Sequence, residues 1–405
     1  MSETIADSLV VEIDMMLSQL RSVSPPPSEP SMFRVDDRLR SINPKAYDPE
    51  IIAIGPFHRG KRNLQEMELH KVRARQSYEE DIDLDKEKFL QMLIFDGGFI
   101  IEFLYLYQHE ERGYEGDPIF QHKHIQSHLL HDLLLFENQI PFFIVECLFN
   151  MIDLKNGDNI INSLIYPLLH SSIFPVPRED LPEVLPVNAL HLLGIVHDIQ
   201  CSSFATVVSL TDAGNPGKVA TIYSAVELEK AGISIQKSEY HSLLHIEFEN
   251  KAMKIAELKF SDSTEWLFRN LIAYEYYLTG SPQKYVTDYV FFMHCLVRFP
   301  EDTKLLRRRG IVSNLLERND MAYHVIKRLS KKIIVSEMFS YSNIFNNVNH
   351  HRRSKWNTRM ATLRRNYLKG PRALISVFVA TFLLVLIILV TFGILSYCND
   401  LEKGN

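Results

Sequence analysis

The chain has little of what marks a secreted protein, a nucleotide enzyme or a nucleic-acid binder. Its four cysteines, Cys147, Cys201, Cys295 and Cys398, stand far apart with no Cys-x-x-Cys pair. That spacing excludes a disulfide framework and reads as reduced thiols. There is no Gly-x-x-x-x-Gly-Lys-[Ser/Thr], no His-Glu-x-x-His and no Gly-x-Ser-x-Gly, so phosphate-loop, zincin and hydrolase-elbow chemistry have no signature. No Asn-x-Ser/Thr sequon occurs, as expected of a body that never meets glycosylation machinery. The opening MSETIADSLVVEIDMMLSQL carries Glu3, Asp7, Glu12 and Asp14 and has no basic n-region, so no signal peptide is expected.

Acidic residues are also missing between Met338 and Arg372, where Arg352, Arg353, Lys355, Arg359, Arg364, Arg365, Lys369 and Arg372 accumulate. The whole chain is nonetheless −6. The remainder is therefore distinctly acidic, which argues against a nucleic-acid partner. Charge of either sign then disappears from Ala373 to Tyr397, ALISVFVATFLLVLIILVTFGILSY. As a helix this run reaches about 37 Å, against a hydrocarbon core of about 30 Å. It predicts a transmembrane helix over 373–397, a tail-anchored membrane protein at the plasma membrane or an endomembrane, and a short tail over 398–405. The basic excess on the N-terminal flank, against Asp400, Glu402 and Lys403 beyond, predicts a cytosolic body. In the basic juxtamembrane segment, 346–372, Trp356, Met360, Leu363 and Tyr367 recur at helical spacing before Gly370-Pro371. A basic amphipathic helix of this kind would lie against anionic lipid headgroups.

What remains is a large body. Residues 1–31 read as an amphipathic helix (Ile5, Leu9, Val10, Ile13, Leu17) and a Pro/Ser-rich spacer, SVSPPPSEPS, and 32–345 as the main domain. Apolar periodicity predicts helices over Lys88–Tyr107, Gln121–Phe136, Pro141–Met151, Pro182–Ile199, Pro282–Phe299, Glu301–Arg309 and Asp320–Phe345. Ser224-x-x-Glu227 and Asp262-x-x-Glu265 read as capping boxes opening two more, ending near Gly232 and Gly280. Ile233–Lys237, Leu243–Phe248 and Met253–Leu258 alternate, with Glu249-Asn250-Lys251 as a hairpin turn. The expected class is mainly α, with one small antiparallel β-sheet at about residues 233–258.

Several motifs then carry a resemblance. Asn43-Pro44-Lys45-Ala46-Tyr47-Asp48-Pro49, Ile54-Gly55-Pro56-Phe57-His58-Arg59-Gly60, Met67-Glu68 with His70-Lys71, and Phe95-Asp96-Gly97-Gly98-Phe99-Ile100-Ile101-Glu102 follow in order. The most distinctive stretch is Asp132-Leu133-Leu134-Leu135-Phe136-Glu137-Asn138-Gln139-Ile140-Pro141-Phe142-Phe143. Ala225–Gly232, Phe268–Glu275, Asp288-Tyr289-Val290 and Gly310-Ile311-Val312 continue the series. With this spacing the chain resembles the plant domain of unknown function 247 family over nearly its whole length. It departs from the pattern at Lys254-Ile255-Ala256 and at Gly194. The resemblance implies a plant protein with one C-terminal span, in a family whose biochemistry is unassigned. Some members are linked to grass self-incompatibility, which implies recognition of a protein partner. The signature residues it implies are Gly55, Pro56, His58, Asp132, Glu137, Asn138, Gln139 and Pro141.

Two chemical readings stay open. His124, His128 and His131 share one helix face at i, i+4 and i+7, beside His122 and Asp132, and imidazoles so spaced could hold a transition metal. A solvated polar face explains them equally. Asp96, His131 and Glu137 lie beside apolar runs, where burial would shift a carboxylate and make an enzyme site. Against both, Glu137, Asn138 and Gln139 at a helix junction can satisfy buried backbone groups. The leading expectation is a non-enzymatic recognition module without a cofactor; the alternative is a hydrolase-like or metal-dependent enzyme near Asp96, His131 and Glu137.

Overall fold

The computed structural model describes residues 31–50, 52–57, 77–79, 81–109, 117–151, 159–171, 176–186, 190–211, 221–239, 242–261, 263–278, 283–314, 321–353, 378–379 and 382–391. Among the described residues a large hydrophobic core runs through the body, from Met32 near the start to Val348 near its end, beside a small cluster of Leu90 and Cys147. The main domain's packing thus continues slightly past residue 345.

The N-terminal part is extended chain punctuated by a short helix, α1 (Asp37–Arg40), whose N-cap Asp36 accepts from Arg38 N, and by a 3-10 turn, Pro44–Tyr47. Helix α2 (Lys86–Gln108) opens with Asp85 accepting from Lys88 N. A short turn, α3 (Pro118–Gln121), precedes α4 (Lys123–Asp132), and His122 between them is extended. The helix expected over Gln121–Phe136 is thereby shortened at both ends. Helix α5 (Phe142–Met151) packs on α2, and α2 also meets the π-turn Ile161–Ile165 that leads into α6 (Tyr166–Ser171). A Cβ on Gly97 would sit 2.6 Å from Leu148 Cδ1, so the absent side chain lets α2 and α5 approach. Nothing lies within 4 Å of the equivalent point on Gly98. The helix Lys88–Gln108 has the length and hydropathy to cross a bilayer, but Phe89, Leu93, Ile100 and Leu104 are buried in the core.

Helix α7 (Leu192–Thr211) begins later and extends further than the expected Pro182–Ile199. His191 sets the start: its carbonyl receives Ile195 N and its Nδ1 receives Gly194 N. The box at Ser224 and Glu227 does cap α8 (Ala225–Lys230), which Gly232 closes at φ +87°. Three strands follow, β1 (Ser234–Lys237), β2 (Ile246–Glu249) and β3 (Ala252–Ile255), in the order β1-β3-β2. The β2–β3 hairpin is antiparallel, with Ile246 opposite Ile255 and both Asn250 (φ 49°) and Lys251 (φ 65°) left-handed in its turn. β1, however, runs parallel to β3, so the expected antiparallel sheet is mixed. A second, unanticipated sheet pairs β4 (Leu258–Phe260) in parallel with β5 (Val312–Asn314).

Between those strands lie α9 (Ser263–Tyr277), α10 (Tyr285–Leu296) and α11 (Pro300–Arg308). Helix α9 is the hub, packing on the Pro44–Tyr47 turn, α7, β4, α10 and, beyond β5, α12 (Met321–Leu329). The helix expected over Asp320–Phe345 is two: α12 and α13 (Ser342–Arg353). Lys332 turns left-handed at φ 61°, and the connection bends inward so that Ser336 N, Ser340 N and Ser340 Oγ donate to Asp288 of α10. Satisfying that carboxylate, which burial lifts to about 6, outweighs continuing the helix. Last comes α14 (Phe382–Thr391), which together with residues 378–379 is the described part of the 373–397 run.

Candidate functional site

The distinctive stretch between α4 and α5 cannot remain helical, because its polar side chains turn back on the backbone. Gln139 Nε2 donates to the carbonyls of Leu133 (2.9 Å) and Leu135 (2.8 Å), and Asn138 Nδ2 to that of Asp132 (2.9 Å). These bonds close the loop onto itself. The remaining valences reach across the sequence. Asp132 receives Glu50 N (2.9 Å) and Ile52 N (2.8 Å), one on each carboxylate oxygen. Asn138 Oδ1 receives Ile54 N at 2.5 Å, and Asn138 Nδ2 also donates to Ile52 O. Glu137 Oε1 receives Val35 N at 2.7 Å, while its other oxygen pairs with Arg40. Gln139 Oε1 receives Leu193 N at 3.2 Å. From α2, Asp96 receives Gly55 N at 3.0 Å. From α9, Asn270 receives Phe136 N and donates to Ala46 O, both at 2.8 Å.

The N-terminal chain is thus laid over the helices like a strap, with alternate amides in side-chain hands. Asp132, Glu137 and Asn138 are at most 1 % exposed. An unmade bond at such depth costs about 1–3 kcal/mol, so the whole set is coupled. Burial alone would lower the Arg40 guanidinium, but Glu137 and Asp48 outweigh it and hold it above its ordinary value. Gly55 is dictated by the same geometry: its φ is +70°, and a Cβ would lie 2.4 Å from Gln139 O. Tyr78 OH donates to that carbonyl at 3.0 Å. Pro141 precedes α5, whose first amide, Phe142 N, goes to Leu190 O. Pro56 follows Gly55 and is half-buried; His58 lies outside the described residues.

The three candidate metal histidines do not converge. His124 is exposed, His128 is exposed and pairs with Glu50, and His131 turns inward. There its Nδ1 lies 2.9 Å from Asp132 Oδ1, and its ring packs edge-on against Trp266 with centroids 4.1 Å apart. Asp96 receives Gly55 N, His131 faces Asp132, and Glu137 receives Val35 N, so each has its own partner in the packing. One small apolar cavity, of about 10 Å³, lies elsewhere, lined by Leu258, Phe268, Tyr289 and their neighbours. Of the membrane-surface candidates, Arg352 and Arg353 end α13. Lys355, Trp356, Arg359, Arg364, Arg365, Lys369 and Arg372 lie outside the described residues, as do the 1–30 segment and the 398–405 tail.

A second polar cluster was not anticipated. His197 and Cys201 stand one turn apart on α7 and face Glu275 of α9. His197 Nε2 is 3.0 Å from Glu275 Oε1 and 3.5 Å from Cys201 Sγ; its Nδ1 is 3.0 Å from Asp198 Oδ1. Glu275 also caps α10, accepting Val286 N, Thr287 N and Thr287 Oγ1 at 2.8, 2.8 and 2.6 Å. Burial would lower His197, but Cys201, Asp198 and Glu275 reverse this and raise it well above the usual imidazole range. Burial likewise pushes the Cys201 thiol up. Only the i, i+4 spacing of His197 and Cys201 is visible in the sequence; Glu275 is supplied by the fold.

These geometries accompany a clear relationship. The chain matches the sequence profile described as "DUF247: Plant protein of unknown function" over residues 32–75 and 72–386. It belongs to that family. It is similar to the UPF0481 protein At3g47200 of Arabidopsis thaliana, 28% identical over 92% of this chain and 88% of the relative. It is also similar to the putative UPF0481 protein At3g02645 of the same plant, 20% identical over 90% of each. No solved structure matches. The strap and its anchors, Asp96, Asp132, Glu137, Asn138 and Gly55, lie within the matched span.

Proposed function

We propose that this family member is a membrane-tethered, non-enzymatic recognition module whose helical body faces the cytosol and engages another protein. The tether rests on α14: from Phe382 to Val390 every side chain is apolar and at least 43 % exposed. A helix that is apolar on every face and uncovered by the body needs an apolar surrounding, which a bilayer supplies. The basic residues ahead of the run favour a cytosolic body and contact with anionic headgroups. A non-catalytic reading is supported by the signature itself, whose Asp96, Asp132, Glu137 and Asn138 are engaged by backbone amides.

Three experiments on the full chain in its own membranes test this. Alkaline carbonate should leave the protein in the pellet, and protease added to sealed vesicles should digest the body. Release by carbonate removes the tether, and a fully protected body reverses the topology. Proximity labelling should then enrich a discrete protein neighbour over a control carrying the 346–405 segment alone. Equal labelling by the two would contradict recognition by the body.

A further inference from the structure

The second cluster carries an inference independent of the tether. We infer that His197, Cys201 and Glu275 form a binding site for one divalent transition-metal ion of the zinc class, fastening α7 to α9. Their donor atoms all lie within 4.8 Å of one another, and all three residues are buried. This is the one such group of three or more His, Cys, Asp or Glu among the described residues.

The orientation of the imidazole makes the case. Asp198 takes Nδ1 and Glu275 faces Nε2. An imidazole between two carboxylates can hold a proton on one nitrogen and a cation at the other. A carboxylate on the far nitrogen is the usual outer partner of a metal-bound histidine, fixing its tautomer and raising its basicity. Glu275 is oriented with equal care, since the amides of Val286 and Thr287 and the Thr287 hydroxyl hold its carboxylate in place.

The distances fit. Zinc bonds of about 2.0–2.1 Å to nitrogen, 2.0–2.2 Å to oxygen and 2.3 Å to sulfur place tetrahedral ligands about 3.3–3.6 Å apart. The observed pairs, 3.0 Å for nitrogen to oxygen and 3.5 Å for sulfur to nitrogen, need a few tenths of an ångström of opening at the nitrogen–oxygen edge, and the sulfur–oxygen edge lies within 4.8 Å and closes on the ion. Charge fits as well. Binding displaces the thiol proton and the Nε2 proton, so a divalent ion with one thiolate and one carboxylate is neutral overall, which a buried site requires. Thiolate and imidazole together select zinc, cobalt or a similar ion over calcium or magnesium. The fourth position falls to a non-protein ligand such as water.

The test uses the full-length chain, purified in detergent without chelator, with metal measured by inductively coupled plasma mass spectrometry. One zinc-class ion per chain is expected. Exchange with cobalt should give a thiolate-to-cobalt charge-transfer band. Cys201→Ser, which leaves the Glu275 cap of α10 alone, should abolish that band and weaken zinc retention roughly tenfold or more. Cys147→Ser and His128→Gln should change neither. If Cys201→Ser fails to fold, alkylation of wild-type Cys201 decides: chelator should expose it and added zinc should protect it. A wild-type chain that carries no metal and gives no cobalt band overturns the assignment. So does full metal retention by Cys201→Ser.

Discussion

The buried polar clusters around Asp132–Gln139 and around His197 are built on opposite principles. Around Asp132 to Gln139, side chains meet backbone: each carboxylate or amide is matched to peptide groups of the strap or of its own loop. Around His197, side chains meet one another: imidazole, thiol and carboxylate converge across two helices. The first arrangement replaces a missing secondary-structure partner, because Glu50 and residues 52–55 lie in no strand or helix that could hold their amides. The second satisfies little backbone through His197 and Cys201, yet it is as deeply buried. A buried polar group matched to backbone reads as architecture; buried donors matched to each other read as a receptor for a cation.

Substitutions should separate the two. The largest effect is expected at Gly55→Ala, where a left-handed φ and a 2.4 Å approach to Gln139 O combine strain and overlap, costing about 3 kcal/mol or more. Thermal unfolding should fall by many degrees, and a Gly55→Ala protein as stable as wild type would show that the strap is not seated. Next, Glu137→Ala strands Val35 N and leaves Arg40 without its buried partner, at about 2–4 kcal/mol. Cellular abundance should drop in parallel. Glu137→Gln, which keeps an acceptor, should recover part of the loss, and equal damage from both would put the charge pair above the amide bond. Cys201→Ser belongs to the other cluster and should cost about 1 kcal/mol in chelator-treated protein. A cost matching Glu137→Ala there would erase the distinction between the clusters.

A smaller, pH-dependent effect is expected at Glu265. Burial would raise its pKa, but Arg328 and Arg269 outweigh this and hold it below the ordinary carboxylate value. Because the folded value is depressed, its stabilisation is present above about pH 4.3, the unfolded glutamate value, and fades as pH falls through the folded value. Glu265→Gln should therefore destabilise at pH 7 and matter progressively less in acid. Urea midpoints for the two proteins that stay equally separated at pH 7 and pH 3.5 would contradict this.

Helix content was legible in the sequence because apolar periodicity and caps are local: α2, α5, α8 and α9 fall close to where Lys88–Tyr107, Pro141–Met151, Ser224–Glu227 and Asp262–Gly280 placed them. The hairpin around Asn250 was legible for the same reason. Parallel pairing was not. β1 and β3 are joined through the intervening β2, and β4 meets β5 across more than fifty residues, so no local pattern distinguishes them. The break between α12 and α13 was hidden because its cause, Asp288, lies on another helix. For the candidate site, the polar run Glu137-Asn138-Gln139 pointed to backbone satisfaction, but its partners, Val35 and Ile54, could come only from the fold. His197 and Cys201 showed helical spacing while their third member stood on α9.

Whether the signature holds the strap to the body is decided by amide hydrogen exchange on the full-length chain carrying Asn138→Ala. Faster exchange is expected across 50–55, where Asn138 and Asp132 hold the amides of Ile54, Ile52 and Glu50, with α10 and α11 unchanged. Wild-type protection of that segment, together with loss of partner labelling, would contradict it and return Asn138 to a site that acts on something else.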